Sequence, residues 1–181
     1  MTQSSILQRW VEVAGIPATG IDLGVEAGES QRKALADAYR LVAVNGLSAN
    51  LIVMQSQRGS LVAEGRVTAD ILQSCVVSLE PVAQHIDESF SVRFVPADSP
   101  EAAKPKAGAE VVVDPTRPDP PEIMDGSGID VGALVEEIFA LAIDPYPRAP
   151  GAALPADLDE APEEGKTSPF AVLSKVPPGK G

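Results

Sequence analysis

The chain has 181 residues, 44% of them hydrophobic but only 4% aromatic, and a formal net charge of −12. That is enough apolar material for one packed domain with extensions, its core built from Val, Leu, Ile and Ala. A field this acidic excludes broad, non-specific grip on nucleic-acid backbones, which takes clustered positive charge.

Residues 1–8 lack the basic region and apolar run of a secretory signal. Trp10–Val13 and Ile21–Val25 read as short strands, parted by the turn around Gly15, Ile16 and Pro17. Glu29–Leu41 reads as a helix, with Ala34, Leu35, Ala38, Tyr39 and Val42 at helical spacing. Three longer strands follow. Leu47–Gln55 places Leu47, Ala49, Leu51 and Val53 on one face, with Ile52 and Met54 on the other. Gln57–Ser60 is a hairpin turn. The next strand alternates Leu61, Ala63, Gly65, Val67, Ala69 and Ile71 with the outward Glu64, Arg66, Thr68 and Asp70. After Glu80 and Pro81, Ile86, Phe90, Val92 and Phe94 repeat the pattern. Such alternation predicts an antiparallel sheet with one buried and one wet face.

Residues 97–128 form a linker rich in Pro, Ala and acids, with Val111–Val113 as a short strand candidate. Asp130 then caps a helix running to about Ala142, striped by Val131, Leu134, Val135, Ile138 and Phe139 and stopped by Pro145. Residues 147–181 are Pro-rich and acidic, which predicts disorder except for an apolar segment at 168–173. The division expected is therefore a strand-rich core at 1–96, the linker, a helix at 129–146 that packs on the core, and the tail. Lys and Arg number seven against ten Asp and Glu before residue 97, and seven against sixteen from there on, so the acidity belongs mainly to the second half.

Catalytic constellations are missing from the pattern. His85 is the only histidine and stands beside no nucleophile motif, so it reads as a surface strand residue. Cys75 ends a strand and reads as a buried thiol. One Cys and one His do not make a structural zinc site, and no Gly-rich phosphate loop occurs. Glu136 and Glu137 are neighbours on a helix, about 100° apart, and read as a solvated face. No run approaches the roughly 18 apolar residues of a membrane helix. The expectation is a non-enzymatic protein of the reducing cytoplasm, without cofactor, membrane or small-molecule substrate.

The run Val62–Val82, containing Gly65, Ala69, Cys75, Leu79, Glu80 and Pro81, followed by the strand through Phe90 to Pro96, resembles the YceD family. So do Ile129–Asp130–Val131 with Leu134–Val135–Glu136–Glu137–Ile138, and the terminal Pro169–Phe170–Ala171–Val172–Leu173. The resemblance implies a part in accumulating large-subunit ribosomal RNA, with ribosomal RNA or a ribosome-assembly protein as partner. It transfers no catalytic residue. Many relatives carry a second Cys three residues after the first and further Cys after the helix; Ser78 and the Cys-free stretch 146–154 stand there instead, so no metal is carried over.

Candidate binding residues are Arg58, Arg66 and Arg93 on or beside the sheet, for RNA phosphates or an acidic partner. The plainer reading pairs these arginines with Glu64, Asp70 and Asp87 across strands. Phe170 and Leu173 are candidates as a short docking motif or as a segment folding back on the sheet. Trp10 reads as an anchor of the first strand. The fold expected is α+β: an antiparallel sheet, open or partly closed, its apolar face covered by the two helices. The function expected is an accessory factor for large-subunit ribosomal RNA that acts by binding. The alternative is an adaptor for a ribosomal protein or processing enzyme, working through the sheet or the tail.

Overall fold

The computed structural model describes residues 5–102, 120–124 and 126–153. Residues to Ala149 form one compact unit; a second begins at Pro150, and its described residues, 150–153, contain no helix or strand. The expected short strand at 111–113 and the segment at 168–173 lie outside the described residues.

The elements in chain order are β1 (Trp10–Glu12), β2 (Ile21–Glu26), α1 (Glu29–Ala38), β3 (Ala43–Gln55), β4 (Leu61–Ser74), β5 (Pro81–Val95), β6 (Glu122–Ile123), β7 (Gly128–Asp130) and α2 (Val131–Ala142). Five strands form an open sheet in the order β2-β3-β4-β5-β6, antiparallel except for β6, which lies parallel to β5. The fold is α+β, and the sheet is not closed into a barrel.

Alternation sets the register. Leu23, Leu51 and Gly65 lie side by side across three strands, as do Val25, Ala49 and Val67. A slip of one residue would turn the whole apolar set to water, so burial of one face holds the register. The buried face is continuous from Leu23 and Val25 through Leu51, Val53, Leu61, Val67 and Ile71. β3 begins four residues earlier than its apolar alternation, at Ala43, because a bulge between Val44 and Gly46 brings its first residues back into register with Ile71 and Leu72.

The first helix is shorter than its periodicity suggests. It stops at Ala38, Arg40 takes a positive φ of 55°, and the Leu41 amide donates to the Ala36 carbonyl at 2.9 Å. That left-handed closure turns the chain into β3. Leu35 is the buried residue of α1.

β1 does not join the main sheet. It pairs with β7, Trp10 opposite Asp130 and Glu12 opposite Gly128. Asp130 holds this clip: Oδ1 caps α2 by accepting from the Gly132 and Ala133 amides at 2.9 and 3.1 Å, and also accepts from the Arg9 amide at 2.8 Å. The segment before β1 crosses so close to the helix that a Cβ on Gly132 would lie 2.4 Å from the Leu7 carbonyl oxygen. Only glycine permits that crossing.

Glu136 corrects the expectation of a solvated pair. Glu137 is exposed, but Glu136 is half-buried and accepts from Ser5 Oγ at 2.8 Å, the Ile6 amide at 2.7 Å and the Tyr39 hydroxyl at 3.2 Å. The 100° between adjacent helix positions sends one carboxylate to water and the other to the N-terminal segment. Tyr39 is also edge-to-face with the fully buried Phe139, centroids 5.8 Å apart. Burial, and then the Glu136 carboxylate, push the Tyr39 hydroxyl up to about 12.

Removing Glu136 strands two donors of the N-terminal segment and the Tyr39 hydroxyl. Glu136→Ala is expected to cost about 2 kcal/mol, the usual loss when partly buried donors lose a charged acceptor. Thermal unfolding should show a Tm lower by roughly 4–8 °C for a domain of this size, and Glu137→Ala should leave Tm unchanged. Equal effects from the two substitutions would show that Glu136 does not anchor the segment.

Candidate functional site

Two regions carry the residues singled out by sequence: the β4–β5 turn around Cys75, and the outer face of the sheet.

β4 and β5 are paired from Leu61–Phe94 to Ser74–Pro81. The turn between them is short, so Cys75, at the end of β4, is pulled under it: Cys75 N–H donates to the Glu80 carbonyl, and Leu79 N–H to the Cys75 carbonyl. Leu79 pays for this geometry with a positive φ of 61° and stands 76% exposed. Three amides converge on the Cys75 sulfur, from Val77 at 3.4 Å and from Ser78 and Ala149 at 3.3 Å each. The Val76 amide donates to the Pro147 carbonyl, which closes the turn from the other side. Pro147 and Ala149, which the sequence puts at the head of the tail, thus pack on the turn.

The far end of α2 is brought there by two glutamines on neighbouring strands. Gln73 Nε2 donates to the Asp144 carbonyl and Gln84 Nε2 to the Ala142 carbonyl, each at 2.8 Å, and Gln84 Oε1 accepts from the Asp144 amide. Gln84 thus satisfies the last carbonyl of the helix, which has no partner inside it, and Gln73 fixes the residue just beyond the cap.

The Cys75 side chain is buried, as expected, but its surroundings are polar. The Ala149 amide first, then the Ser78 hydroxyl and amide, lower the thiol from its usual 9.0 to about 6, against the opposing effect of burial. Ser78 gives the sulfur an N–H and no second thiolate. One thiol whose lone pairs face amides does not fit a metal, and among the described residues no group of three or more His, Cys, Asp and Glu is placed to hold one. His85 lies elsewhere, on the outer face, with Nδ1 2.7 Å from Asp70 Oδ1. Ser74 is opposite Pro81, four residues along β5 from His85, so roughly 14 Å of strand separates the histidine from the turn. The two do not form a dyad.

Gly65, in the middle of β4, sits where β3 approaches most closely: a Cβ there would lie 2.5 Å from both the Asn50 carbonyl oxygen and Leu51 Cβ. Phe90 stands directly opposite it on β5.

The outer face carries exposed Asp22, Glu26, Glu64, Asp70 and Asp87 against two arginines, Arg66 and Arg93. Arg66 forms an ion pair with Asp87 through Nε and hydrogen-bonds it through Nη2; Arg93 pairs with Glu101. The sequence suggests strand-to-strand partners for both, and Arg93 instead finds its acid past the end of β5. Arg58 sits at the tip of the β3–β4 hairpin with φ 58°, and no ion pair to it occurs among the described residues. Register places Arg66 opposite Ser89 and Arg93 opposite Val62, about 14 Å apart along the strand, so the three do not converge. Phe170 and Leu173 lie outside the described residues. The amide cluster on Cys75 and the anchoring by Glu136 had no sequence signal beyond the residue types themselves.

No described helix is long and apolar enough to cross a membrane. The class defined by these features is an α+β protein whose half-wet sheet ends in a turn folded around one cysteine and locked by its second helix. Within that class, the family described as large ribosomal RNA subunit accumulation protein YceD matches residues 63–176, and the chain belongs to it. Comparison with curated proteins and with solved structures gives no match.

The lowered Cys75 thiol makes stability depend on pH. A group whose folded pKa is depressed contributes stability above its unfolded value, and that stability is lost as pH falls through the folded one. The difference in unfolding free energy between the parent and Cys75→Ala should therefore be full near pH 9 and shrink as pH falls to about 6 and below. Urea titrations at several pH values read this, and a difference that stays constant would mean that the thiol is neutral throughout.

Proposed function

We propose that this chain supports accumulation of large-subunit ribosomal RNA as a non-catalytic cytoplasmic factor that binds a protein of the assembling subunit or of its processing machinery. Membership of the family supports the pathway. The choice of a protein partner over the RNA itself rests on one observation, the charge of the outer sheet face: five exposed carboxylates against two arginines, each arginine already engaged by an acid. A phosphate backbone would meet net repulsion there, whereas RNA affinity comes from displacing counterions with unpaired Lys and Arg.

Two measurements test this. In cells depleted of the protein, the ratio of large- to small-subunit ribosomal RNA should fall and recover with the intact gene; an unchanged ratio would remove the pathway assignment. Material retained on the tagged protein should survive ribonuclease and moderate salt, and retention by Arg66→Glu should stay within about twofold of the parent, as suits an exposed ion pair of small energetic weight. Binding that declines steeply with salt and is lost in Arg66→Glu would transfer the role to direct RNA contact.

A further inference from the structure

A groove of about 1190 Å³ runs between α2 and the outer edge of β5. It is lined by four consecutive residues of β5, Ser91, Val92, Arg93 and Phe94. Successive side chains of a strand point to opposite faces, so a groove touching all four follows the strand's edge, where backbone N–H and C=O groups are presented. β6 shows that this edge accepts a strand in parallel: Glu122 and Ile123 pair with Phe94 and Val95. Pro120 and Pro121 precede them and have no N–H to give, so the ladder is two residues long. Among the described residues, no strand pairs with the edge of β5 before Phe94.

The opposite wall is the side of α2 turned away from the core, with Ile138 half-buried and Leu141 77% exposed. Ile123 and Trp10, 41% and 49% exposed, continue the apolar lining. The charge on the walls is acidic. Glu122 and Glu137 are exposed, Asp130 is occupied by the amides that it caps, and the one basic residue of the lining among the described residues, Arg93, is neutralised by Glu101. The volume exceeds the roughly 300–1,000 Å³ of small-molecule pockets.

We propose that this groove binds an extended, basic polypeptide segment with apolar side chains at alternate positions. The segment adds to the edge of β5, seats its apolar side chains between Val92, Phe94, Ile138 and Leu141, and presents Lys or Arg to Glu122 and Glu137. Backbone pairing gives such a site its affinity, and the alternate pockets and acidic walls give it selectivity. The proposal rests on the protein-binding reading above and specifies where and what kind of segment is bound.

The test uses the full chain and a fluorescent, end-capped octapeptide alternating lysine and valine. Binding should shift backbone amide resonances over residues 89–94, and an octapeptide alternating glutamate and valine should bind at least about tenfold more weakly, since like charges then face each other. Ile123→Ser plus Leu141→Ser, and separately Glu122→Lys plus Glu137→Lys, should each weaken the lysine peptide about tenfold, as loss of interface anchors does. All four substitutions are at exposed positions, and unchanged Tm would show that the variants remain folded. No binding up to about 1 mM, equal binding of both peptides, or unshifted amides at 89–94 would overturn the proposal. So would displacement of the peptide by oligouridylate with the same amides shifted, which would make the groove an RNA site. Binding tightened by Phe170→Ser plus Leu173→Ser would overturn it in favour of a segment of this chain as occupant. The ribosomal RNA ratio is read separately, so an unchanged ratio with intact groove binding would sink the pathway assignment alone.

Discussion

Two carboxylates of one chain segment hold residues 5–9 in place. Asp130 takes amides from both the start of α2 and Arg9, and Glu136 takes Ser5, Ile6 and Tyr39. These are long-range ties, spanning 121 and 131 residues of sequence between Arg9 and Asp130 and between Ser5 and Glu136. Charge-assisted hydrogen bonds of this kind are stronger than neutral ones, and they act where the chain would otherwise fray. β1 finds its partner in β7 and not in the main sheet because these anchors lay it across the helix. α2 is in turn fixed over the apolar face, with Val131, Val135 and Phe139 fully buried.

The position of α2 then decides what the rest of the protein offers. Its C-terminal end, latched by Gln73 and Gln84, brings Pro147 and Ala149 onto the Cys75 turn. Its outward side forms one wall of the groove beside β5. The sheet accordingly has three different borders: an acidic outer face with its arginines paired, an apolar inner face that is covered, and an edge at β5 that no described strand pairs before Phe94. Of these, that edge combines backbone without a described strand partner and exposed apolar side chains, the usual ingredients of strand addition.

The β3–β4–β5 meander was legible because its strands alternate over most of their length, and burying one face leaves a single workable register. The helix from Asp130 was legible for a similar reason, since its cap and its apolar stripe agree. The α1 helix ended early because its termination depends on a left-handed residue, Arg40, whose type carries no such signal. The roles of Glu136 and Cys75 were not legible. A carboxylate on a helix and a cysteine after a strand read alike whether they face water, a core or a ring of amides, and that depends on partners more than 70 residues away.

Local periodicity and turn chemistry by themselves determined the three long strands, the two helices and the antiparallel order of the meander, while composition set the acidic character of the chain and the ordered motifs carried its resemblance to the family. Tertiary structure alone decided which of two adjacent glutamates is an anchor, which amides surround the cysteine, and how far the edge of β5 is paired. The physical reason is the range of the interactions. Alternation and capping act between residues a few positions apart, whereas satisfying a half-buried carboxylate, a covered thiol or a strand edge takes donors, acceptors or strands that only folding brings within 3–4 Å.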